Sequence, residues 1–543
     1  MTTYLVFLAG AAAFYCLLRR FLARRYAWMT TALFLCQPLL FGHAFINQKD
    51  TPFLASFILC VVTGMTAVDR LTHIRPGSQE SAGGLSVWIK RDWAATSGRW
   101  RLAAVLGLLL LMAAVVDALL LEQSLSWAKV LVRQTYANEA WQPINQAFRF
   151  VAQDAYKTPV EEYLARTEWA YGLFGRMGML LLALIAGGLL TARITPSLVR
   201  QTWHGDRVAL LLFLLAGGVL GWTMAIRPIG GLAGLLVSGY GLRRLRGRSV
   251  FPLMAYWAAA GVVAYMAWPF LWDKPLERIL QSMKFTGNIR GSTLYRGETV
   301  LSDSLPWHYF PTLAAVELTE PIALLFLAGM VAVGLRLKHD SIDRLALAVV
   351  GAWFGIPLLG LAVGMGVSDN LRQLHFVLPP VFVVAGIGLA LLLEKIRAGW
   401  LQFGVFSLLL APGLIGVVQL HPYEYAYFNS YVGGTSGAQG QYELEYWCTS
   451  YREAMDQVNS LAMPGDKVMA LGIDRAARPF AREDITVLAS RYLPVSPEAD
   501  FLLACRHWLG FSDPGFERVF TVDRHSALFA VVFRRKPLPA TDE

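Results

Sequence analysis

Charge is scarce in this chain of 543 residues: only 16% are Asp, Glu, Lys or Arg, whereas 55% are hydrophobic. Soluble domains carry about 25% charged residues, so this chain has too few to cover a soluble surface of its size. The formal net charge of +10 does not indicate nucleic-acid binding, because the Arg and Lys residues lie beside apolar runs. The composition therefore predicts a membrane protein with several spans.

Cysteine is also rare, and none of the five residues has CxxC spacing, so the chain has no metal or redox motif of that kind. Cys16, Cys36 and Cys60 fall within apolar runs and are interpreted as small core residues. Cys448 and Cys505 lie outside those runs, where a disulfide and two free thiols agree equally well with the sequence. The C-terminal part also lacks a nucleophile elbow, a P-loop and zinc-ligand spacing.

Twelve apolar runs can be proposed as transmembrane helices, which need about 20 residues each. They cover 3–18, 26–43, 52–69, 102–121, 174–191, 207–225, 229–242, 251–271, 321–335, 345–366, 376–393 and 401–419. The first and seventh are short. The first is not expected to be a signal peptide, because its charges follow the apolar run instead of preceding it.

Basic residues assign the connecting loops to the two sides of the membrane. With the N-terminus outside, every cytoplasmic loop is basic, as the positive-inside rule requires. These loops are Arg19–Arg25, Arg70–Arg101, Arg193–Arg207, Arg243–Arg248, Arg336–Arg344 and Lys395–Arg397. The external side then holds 41–51, 122–173, 272–320 and everything after about 421. We therefore expect an all-α polytopic membrane domain over 1–421 and a small extracytoplasmic α/β domain over 422–543.

Two external segments have patterns of their own. The 122–173 loop mixes charges with aromatic residues, which predicts helices lying along the membrane interface as a structural belt; the aromatic residues are Trp127, Trp141, Phe148, Phe150 and Trp169. The C-terminal part predicts a helix and four strands, the last two forming a hairpin, and is interpreted as a binding or docking module. The helix is expected near 449–462, a turn at 464–466, and the strands at 467–471, 501–505, 518–522 and 527–534.

The stretch Phe41–Pro52 places four polar side chains between two apolar runs: His43, Asn47, Lys49 and Asp50. Ionisable groups at the edge of a membrane core are costly and mark functional sites, although a solvated turn is the simpler interpretation. Asp50 is the candidate general base or metal ligand, and Lys49 would favour its ionised form. His43 is either a ligand-binding residue or a helix cap.

Other external charges are candidates for holding a phosphate. Arg227 follows a span and precedes Pro228, which is a good position for a phosphate clamp. The turn at 368–375 adds Asp369, Arg372 and His375, with an Asp–Arg pair joining two helices as the alternative. Five cations in the 272–320 loop fit either a lipid phosphate or a general contact with anionic lipid; they are Lys274, Arg278, Lys284, Arg290 and Arg296.

Together these stretches resemble bacterial integral-membrane glycosyltransferases of the GT-C type, close to the protein O-mannosyltransferases and aminoarabinose transferases. The matching stretches appear in family order across most of the chain. They are Phe41–Asp50 with Pro52 and Phe53, Trp268–Trp272 with Pro275, Leu305–Tyr309, Asp369–Pro380, His421–Asn429, Gly433 with Gly434, and Glu445–Trp447.

The resemblance implies an enzyme of the bacterial inner membrane that moves a sugar from a polyprenyl-phosphate donor to an acceptor on the extracytoplasmic face, with inversion. Asp50 would place the acceptor or a divalent cation such as Mg²⁺ or Mn²⁺, with His43 and Lys49 as further catalytic candidates. The expected substrate-binding residues are Asn47, Arg227, Lys274, Arg278, Arg296, Trp307, His308, Asp369, Arg372, His375, Tyr427 and Asn429.

The chain departs from the family pattern at its start. The family has one more span there and a first external loop with an acidic residue that acts as the principal base. Either the start codon is assigned too late, or another carboxylate replaces this base. The candidates for the second alternative lie in the 122–173 loop and are Glu122, Glu139, Asp154, Glu161 and Glu162. Smaller departures are Gln48, Gln373, Glu445 and Cys448, where the family has Pro, an Arg-His pair, Asp and Gly.

Two other functions agree with the sequence. A membrane transporter with twelve spans would show two similar halves with polar sites at the midplane, whereas the polar residues here cluster outside. A non-catalytic relative that binds polyprenyl phosphate or a partner transferase would explain the missing first loop.

Overall fold

The computed structural model describes residues 2–72, 123, 125–137, 159–168, 207–245, 250–272, 274–287, 291–302, 304–338, 343–362, 366–367, 369–490 and 495–537. The described parts of the predicted apolar runs are mainly helical, while the runs 102–121 and 174–191 and part of 345–366 lie outside these ranges. The helices are α1 (Thr2–Leu18), α2 (Arg24–Leu35), α3 (Pro38–Ile46), α4 (Asp50–Thr72), α5 (Arg207–Ile226), α6 (Gly231–Leu245), α7 (Val250–Ala267), α8 (Pro275–Gly287), α9 (Tyr309–Glu317), α10 (Glu320–Lys338), α11 (Arg344–Ala362), α12 (Leu378–Glu394) and α13 (Gly399–Leu420).

Five of the described helices are long and apolar enough to cross a membrane. They are α4, α5, α11, α12 with the turn before it, and α13. A sixth is obtained if α2 and α3 count as one span, although these two helices are bent by 61°. Helices α1 and α10, and the 252–267 part of α7, are apolar but shorter. The described residues therefore form a helical membrane domain, with fewer candidate spans than the twelve expected from the sequence.

Pro38 explains the break between α2 and α3, because proline lacks a backbone N–H and disfavours helical geometry at the residue before it. Gln37, at the break, is buried, and its side chain forms hydrogen bonds with the connection between α9 and α10. Its Nε2 donates to the carbonyl oxygen of Glu317 at 3.0 Å, and its Oε1 accepts from the backbone N–H of Thr319 at 3.3 Å. The bend directs α3, and with it His43, toward the polar end of the bundle.

The helices pack closely where small residues meet. A Cβ atom on Gly329 of α10 would collide with the carbonyl oxygen of Val384 on α12, and one on Gly388 would collide with that of Leu325. Glycine at such positions lets two helix backbones touch, as is common between membrane helices. Helix α12 is the most buried candidate span: 89% of its 18-residue apolar stretch is buried inside the protein, whereas the corresponding share for α13 is only 11%. The bundle thus has α12 at its centre and α13 at its edge.

Helix α4 carries a carboxylate near each end. Asp50 is its first residue, and Asp69 lies 19 residues later, about 28 Å along the axis. This separation is close to the thickness of the hydrocarbon core of a bilayer. Asp69 accepts hydrogen bonds from Arg20 at 2.6 Å and from the hydroxyl of Tyr240 at 2.7 Å. One end of α4 therefore lies in a basic layer with Arg20 and Arg244, and the other carries Asp50.

The segments that were expected to be external contain short elements. In the 272–320 segment, α8 is followed by a hairpin of β1 (Ser292–Tyr295) and β2 (Glu298–Leu301), and then by α9. In the 122–173 loop, residues 125–136 and 160–168 are helical, and Lys129 binds Glu168 at 2.8 Å. Of the replacement-base candidates there, Glu161 and Glu162 are exposed, while Glu122, Glu139 and Asp154 lie outside the described residues. Trp141, Phe148, Phe150 and Trp169 of the expected belt also lie outside them.

The C-terminal part forms a five-stranded sheet in the order β4-β3-β5-β7-β6. The strands are β3 (Lys467–Leu471), β4 (Thr486–Ser490), β5 (Phe501–Cys505), β6 (Phe516–Arg524) and β7 (Ala527–Arg535), and the helices are α14 (Gly434–Ala438), α15 (Tyr451–Leu461) and α16 (Asp474–Ala477). Strand β3 is parallel to β4 and β5, whereas β7 is antiparallel to β5 and β6. The predicted helix, four strands and hairpin are confirmed. Strand β4, a short edge strand, was not predicted.

Two cysteines are joined in this region. Cys448 and Cys505 form a disulfide with their Cα atoms 5.8 Å apart, so the alternative of two free thiols is wrong for this structure. Of the three other cysteines, Cys60 is buried as predicted and Cys36 is partly buried. Cys16 is exposed on α1, so its interpretation as a core residue is wrong.

Candidate functional site

Asn47 shapes the polar turn between α3 and α4. Its side-chain oxygen accepts hydrogen bonds from the backbone N–H groups of Lys49 at 3.1 Å and Asp50 at 2.7 Å, which are otherwise unpaired at a helix start. Its amide nitrogen donates to Oδ2 of Asp50 at 2.9 Å. The side chain of Lys49 is exposed and forms no salt bridge with Asp50. The turn is thus a compact cap that fixes the direction of the Asp50 carboxylate.

His43 is fully buried one helical turn before Asn47. Its Nδ1 lies 3.2 Å from the amide nitrogen of Asn47, and its Nε2 lies 2.6 Å from the hydroxyl of Tyr446. Because an amide nitrogen can only donate, Nδ1 must accept and Nε2 must carry the proton in the neutral ring. This leaves the hydroxyl proton of Tyr446 free to bond elsewhere.

Asp50 lies between two arginines. Arg227, at the end of α5, forms a short ion pair with its Oδ1, and Nε of Arg372 lies 3.7 Å from its Oδ2. The side chains of Asp50 and Arg227 are only 6% and 15% exposed, so water screens this pair poorly. Helix α8 packs against the turn that follows Arg227, which brings the 272–320 segment beside the site.

The turn before α12 supplies the opposite wall. Asp369 binds Arg372 at 2.8 Å, and both Asp369 and Asn370 have positive φ values, 57° and 56°, which Asp and Asn tolerate better than most residues. His375 is buried, and its ring lies edge-on to the ring of His43, with centroids 4.4 Å apart. The structure therefore places Asp369, Arg372 and His375 next to the Phe41–Pro52 stretch, although more than 300 residues separate them.

Aromatic residues from the C-terminal part cover this cluster. The guanidinium of Arg372 lies 5.5 Å from the ring centre of Tyr446 and 5.1 Å from that of Trp447, within the range of cation–π contacts. Gly42 makes the approach possible, because a Cβ atom there would collide with the backbone nitrogen of Tyr425. The sequence pointed to these residues only as part of matching stretches and gave no role to Tyr446 or Trp447.

Several buried nitrogen atoms at the site lack a hydrogen-bond partner among the described residues. They are Nε of Arg227, Nε of Arg372, Nε of Arg506, and both ring nitrogens of His375. Buried polar groups are nearly always paired, so unpaired cationic donors at one place indicate a site for an anionic ligand. The three arginines are therefore suited to hold a phosphate or carboxylate group.

Two buried carboxyl groups lie nearby, and neither was a candidate from the sequence. Burial raises the pKa of Glu317 well above its usual range, although the backbone N–H of Leu371 donates to it at 3.4 Å. Burial also raises the pKa of Glu445 to about 7, against hydrogen bonds from Tyr425 at 2.7 Å and from the backbone of Thr449. Both groups are thus able to hold a proton at neutral pH.

Seven of the expected substrate-binding residues, of which Asn429 is described below, lie outside the cluster around Asp50. Lys274 is exposed and binds Glu277 at 3.5 Å, Arg278 lies over the ring of Phe270, and Arg296 is exposed in the β1–β2 turn. Trp307 is 80% exposed, and His308 bonds to the hydroxyl of Tyr295 at 2.7 Å. Tyr427 lines a cavity of about 160 Å³ at the C-terminal end of α13.

Asn429 has a structural role in this arrangement. Its amide nitrogen donates to the carbonyl oxygens of Ala315 at 2.6 Å and Leu318 at 2.8 Å, and its side-chain oxygen accepts from the backbone of Tyr431 at 3.0 Å. The side chain is therefore fully used in joining the α9–α10 connection to the segment after α13.

The fit of a divalent cation at Asp50 can be tested against its neighbours. In the part of the chain that the structure describes, no group of three or more His, Cys, Asp or Glu side chains is arranged to hold a metal ion. Arg227 and Arg372 place positive charge on both sides of Asp50, which opposes a second cation at that carboxylate. These residues suit an anion better than Mg²⁺ or Mn²⁺.

The arrangement as a whole is a buried cluster of charged residues at one end of the helical bundle, suited to an anion. It is built by residues from α3, α4 and the segments after α5 and before α12, and it is covered by Tyr446 and Trp447. Comparison with known proteins adds no family: no protein-family model matches this chain, and no curated protein gives a significant match.

Proposed function

We propose that this protein is an integral-membrane glycosyltransferase that moves a sugar from a polyprenyl-phosphate donor to an acceptor hydroxyl, with inversion. The observation that supports it is the pair of buried arginines, Arg227 and Arg372, on either side of Asp50 with unpaired Nε donors. The resemblance of the Phe41–Pro52 stretch and its companions to GT-C enzymes supplies the reaction class.

In this proposal the arginines hold the donor phosphate. Guanidinium groups form charge-assisted, often paired hydrogen bonds with phosphate oxygens, and they stabilise the negative charge that develops as the phosphate leaves. Asp50 holds both guanidinium groups in place before the donor binds. This preorganisation avoids the cost of arranging two long side chains during the reaction.

The transfer is a single displacement at the anomeric carbon. The acceptor oxygen forms a bond to that carbon while the bond between the carbon and the phosphate oxygen breaks. The electron pair of the broken bond leaves with polyprenyl phosphate. The acceptor proton passes to a base at the site. We assign this role to His375, whose ring nitrogens have no hydrogen-bond partner among the described residues, whereas both oxygens of Asp50 are engaged by Arg227, Arg372 and Asn47.

The orientation of the protein is part of the proposal. The layer around Asp69 contains Arg20 and Arg244, so the positive-inside rule assigns that end of α4 to the cytoplasm and Asp50 to the opposite side. A disulfide between Cys448 and Cys505 agrees with an oxidising, extracytoplasmic compartment for the C-terminal part. The complete GT-C-like bundle would have about twelve spans in the bacterial inner membrane.

Binding of undecaprenyl phosphate to the purified full chain in lipid nanodiscs tests the site. Arg227→Gln is expected to weaken binding at least tenfold, because a charge-assisted hydrogen bond contributes about 1.5–3 kcal/mol. Lys274→Gln is the matched control, since it removes an exposed external cation outside the cluster, and it should bind as the unaltered protein does. Equal affinity for the Arg227 variant and the unaltered protein would overturn the proposal.

Transfer itself is tested with a polyprenyl-phosphate sugar whose sugar is radiolabelled. A folded His375→Ala variant is expected to bind the lipid but to lose transfer, whereas Asp50→Asn, which releases both arginines, should weaken binding as well as transfer. A protein that binds undecaprenyl phosphate and transfers no sugar from any such donor would instead be the non-catalytic relative.

A further inference from the structure

Arg506 directly follows strand β5 of the C-terminal sheet, yet its side chain contacts residues of the membrane-domain site. Its Nη2 lies 3.5 Å from Oε2 of Glu443 and 3.9 Å from Oδ1 of Asp369, and its Nη1 donates to the carbonyl oxygen of Tyr446 at 3.3 Å. Asp369 also binds Arg372, which reaches Asp50. Arg506 is therefore the outermost cation of the same charged cluster.

The guanidinium of Arg506 has donors to spare. Its two ion pairs are long compared with the 2.8 Å contact between Arg372 and Asp369, and its buried Nε has no hydrogen-bond partner among the described residues. The side chain is 24% exposed, so one edge remains open to a ligand. An arginine held loosely beside two others is suited to complete the coordination of an anion.

A disulfide fixes the two chain segments that reach the site from outside. Cys505 directly precedes Arg506, and Cys448 directly follows Trp447, which packs against Arg372. Cys448 and Arg506 both have positive φ values, 51° and 55°, which residues other than glycine seldom adopt. Such backbone conformations persist where the surrounding structure holds them, and here the disulfide joins the two segments.

We infer that Arg506 is a third phosphate-binding residue, supplied by the C-terminal sheet region and positioned by the Cys448–Cys505 disulfide. The inference rests on the proposed function in taking the ligand to be a polyprenyl phosphate. It gives the C-terminal region a direct part in the site, where the sequence suggested a separate docking module. The ligand site is then complete only in the oxidised chain.

A double-mutant comparison tests this on the full chain in nanodiscs, with undecaprenyl phosphate as the probe. Arg506→Gln should weaken binding about tenfold, as loss of one charge-assisted bond predicts. Arg518→Gln, which removes an exposed arginine of β6 in the same sheet, should leave binding unchanged. The paired change Cys448→Ser with Cys505→Ser should also weaken binding about tenfold.

The decisive result is the triple variant. If the disulfide acts through Arg506, combining its removal with Arg506→Gln costs no more than either change alone. Fully additive losses, or unchanged binding by Arg506→Gln, would overturn the inference. If the serine variants do not fold, reduction of the folded protein with dithiothreitol replaces them, with Arg506→Gln again expected to show no further loss.

The same assay separates this inference from the proposed function. Weak binding by Arg227→Gln with normal binding by Arg506→Gln removes only the role of Arg506. Normal binding by both variants removes the phosphate site as a whole.

Discussion

Asp50 lies between the guanidinium groups of Arg227 and Arg372, and its main structural effect is to hold both of them in position. The Asp50–Arg227 pair is nearly excluded from water, with side chains 6% and 15% exposed. Removing one partner of such a pair leaves a buried charge unpaired, which costs about 3–5 kcal/mol, whereas removing both is much less harmful. The pair is therefore a means of keeping two arginines in position.

This reasoning predicts a non-additive effect on stability. Asp50→Asn should lower the free energy of unfolding by about 3 kcal/mol, because Arg227 loses its partner. The double variant Asp50→Asn with Arg227→Gln should recover part of that loss, measured by thermal unfolding of the detergent-solubilised protein. Losses that simply add would show that the two side chains are not energetically coupled.

Glu445 predicts a pH dependence. Burial raises the pKa of its carboxyl from 4.5 to about 7, so between those values the folded protein keeps a proton that the unfolded chain releases. The stabilising contribution is complete below the unfolded pKa and is lost as pH rises through the folded pKa, and it amounts to about 3 kcal/mol. The melting temperature should therefore fall as pH rises from about 4.5 to about 7.

Glu445→Gln is the comparison for this prediction, because glutamine cannot ionise. Its melting temperature should change less with pH over the same range. Parallel curves for the variant and the unaltered protein would assign the pH dependence to other groups.

At the scale of helices, close packing predicts which glycines matter. Gly329→Ala should destabilise the protein by about 1–3 kcal/mol, because the new methyl group meets the backbone of α12 and the two helices must separate. Gly334→Ala, in the same helix, has nothing within 4 Å of the added atom and should be neutral or slightly stabilising. Thermal unfolding of both variants checks the contrast.

Helices and strands were easier to predict from the sequence than the contacts between them. Apolar runs and alternating strands depend on local periodicity, so α4, α12, β3 and β5 were predicted at or near their observed bounds. The edge strand β4 was missed because five residues of mixed polarity carry little pattern. The cost of burying charge also marked the ends of spans, where Asp50 and Arg227 lie.

The pairing of those charges could not be predicted in the same way. Asp50 and Arg227 are 177 residues apart, and helix packing alone brings them together. Tyr446 and Arg506 are harder still, since each reaches the membrane domain from a region that looked independent. Nothing in the sequence near Arg506 distinguishes it from the other arginines of the C-terminal sheet, and only the neighbouring Cys505 is unusual.

For the whole molecule, the disulfide predicts a gain in stability. It closes a loop with a sequence separation of 57 residues, and the chain-entropy relation gives about 4 kcal/mol for a loop of that length. Dithiothreitol should therefore lower the melting temperature of the unaltered protein and leave that of the Cys448→Ser, Cys505→Ser variant unchanged. An equal response of both proteins would mean that the bond is absent or that it adds no stability.

The proposed orientation is tested by fusion to alkaline phosphatase, which is active only outside the cytoplasm. A fusion after Pro537 should be active, and one after Arg397 should be inactive. Activity at Arg397 together with inactivity at Pro537 would reverse the orientation and place the arginine cluster on the cytoplasmic side.

The two charged ends of α4 restrict how this protein can move. A vertical slide of that helix by one turn, about 5.4 Å, would pull Asp50 away from Arg227 and Asp69 away from Arg20 in the same motion. The ion pairs at its two ends therefore hold α4 at a fixed depth in the bundle. Under the proposed function, an opening for the lipid tail must therefore come from movement of neighbouring helices around α4. Helix α13 is the least buried of the candidate spans.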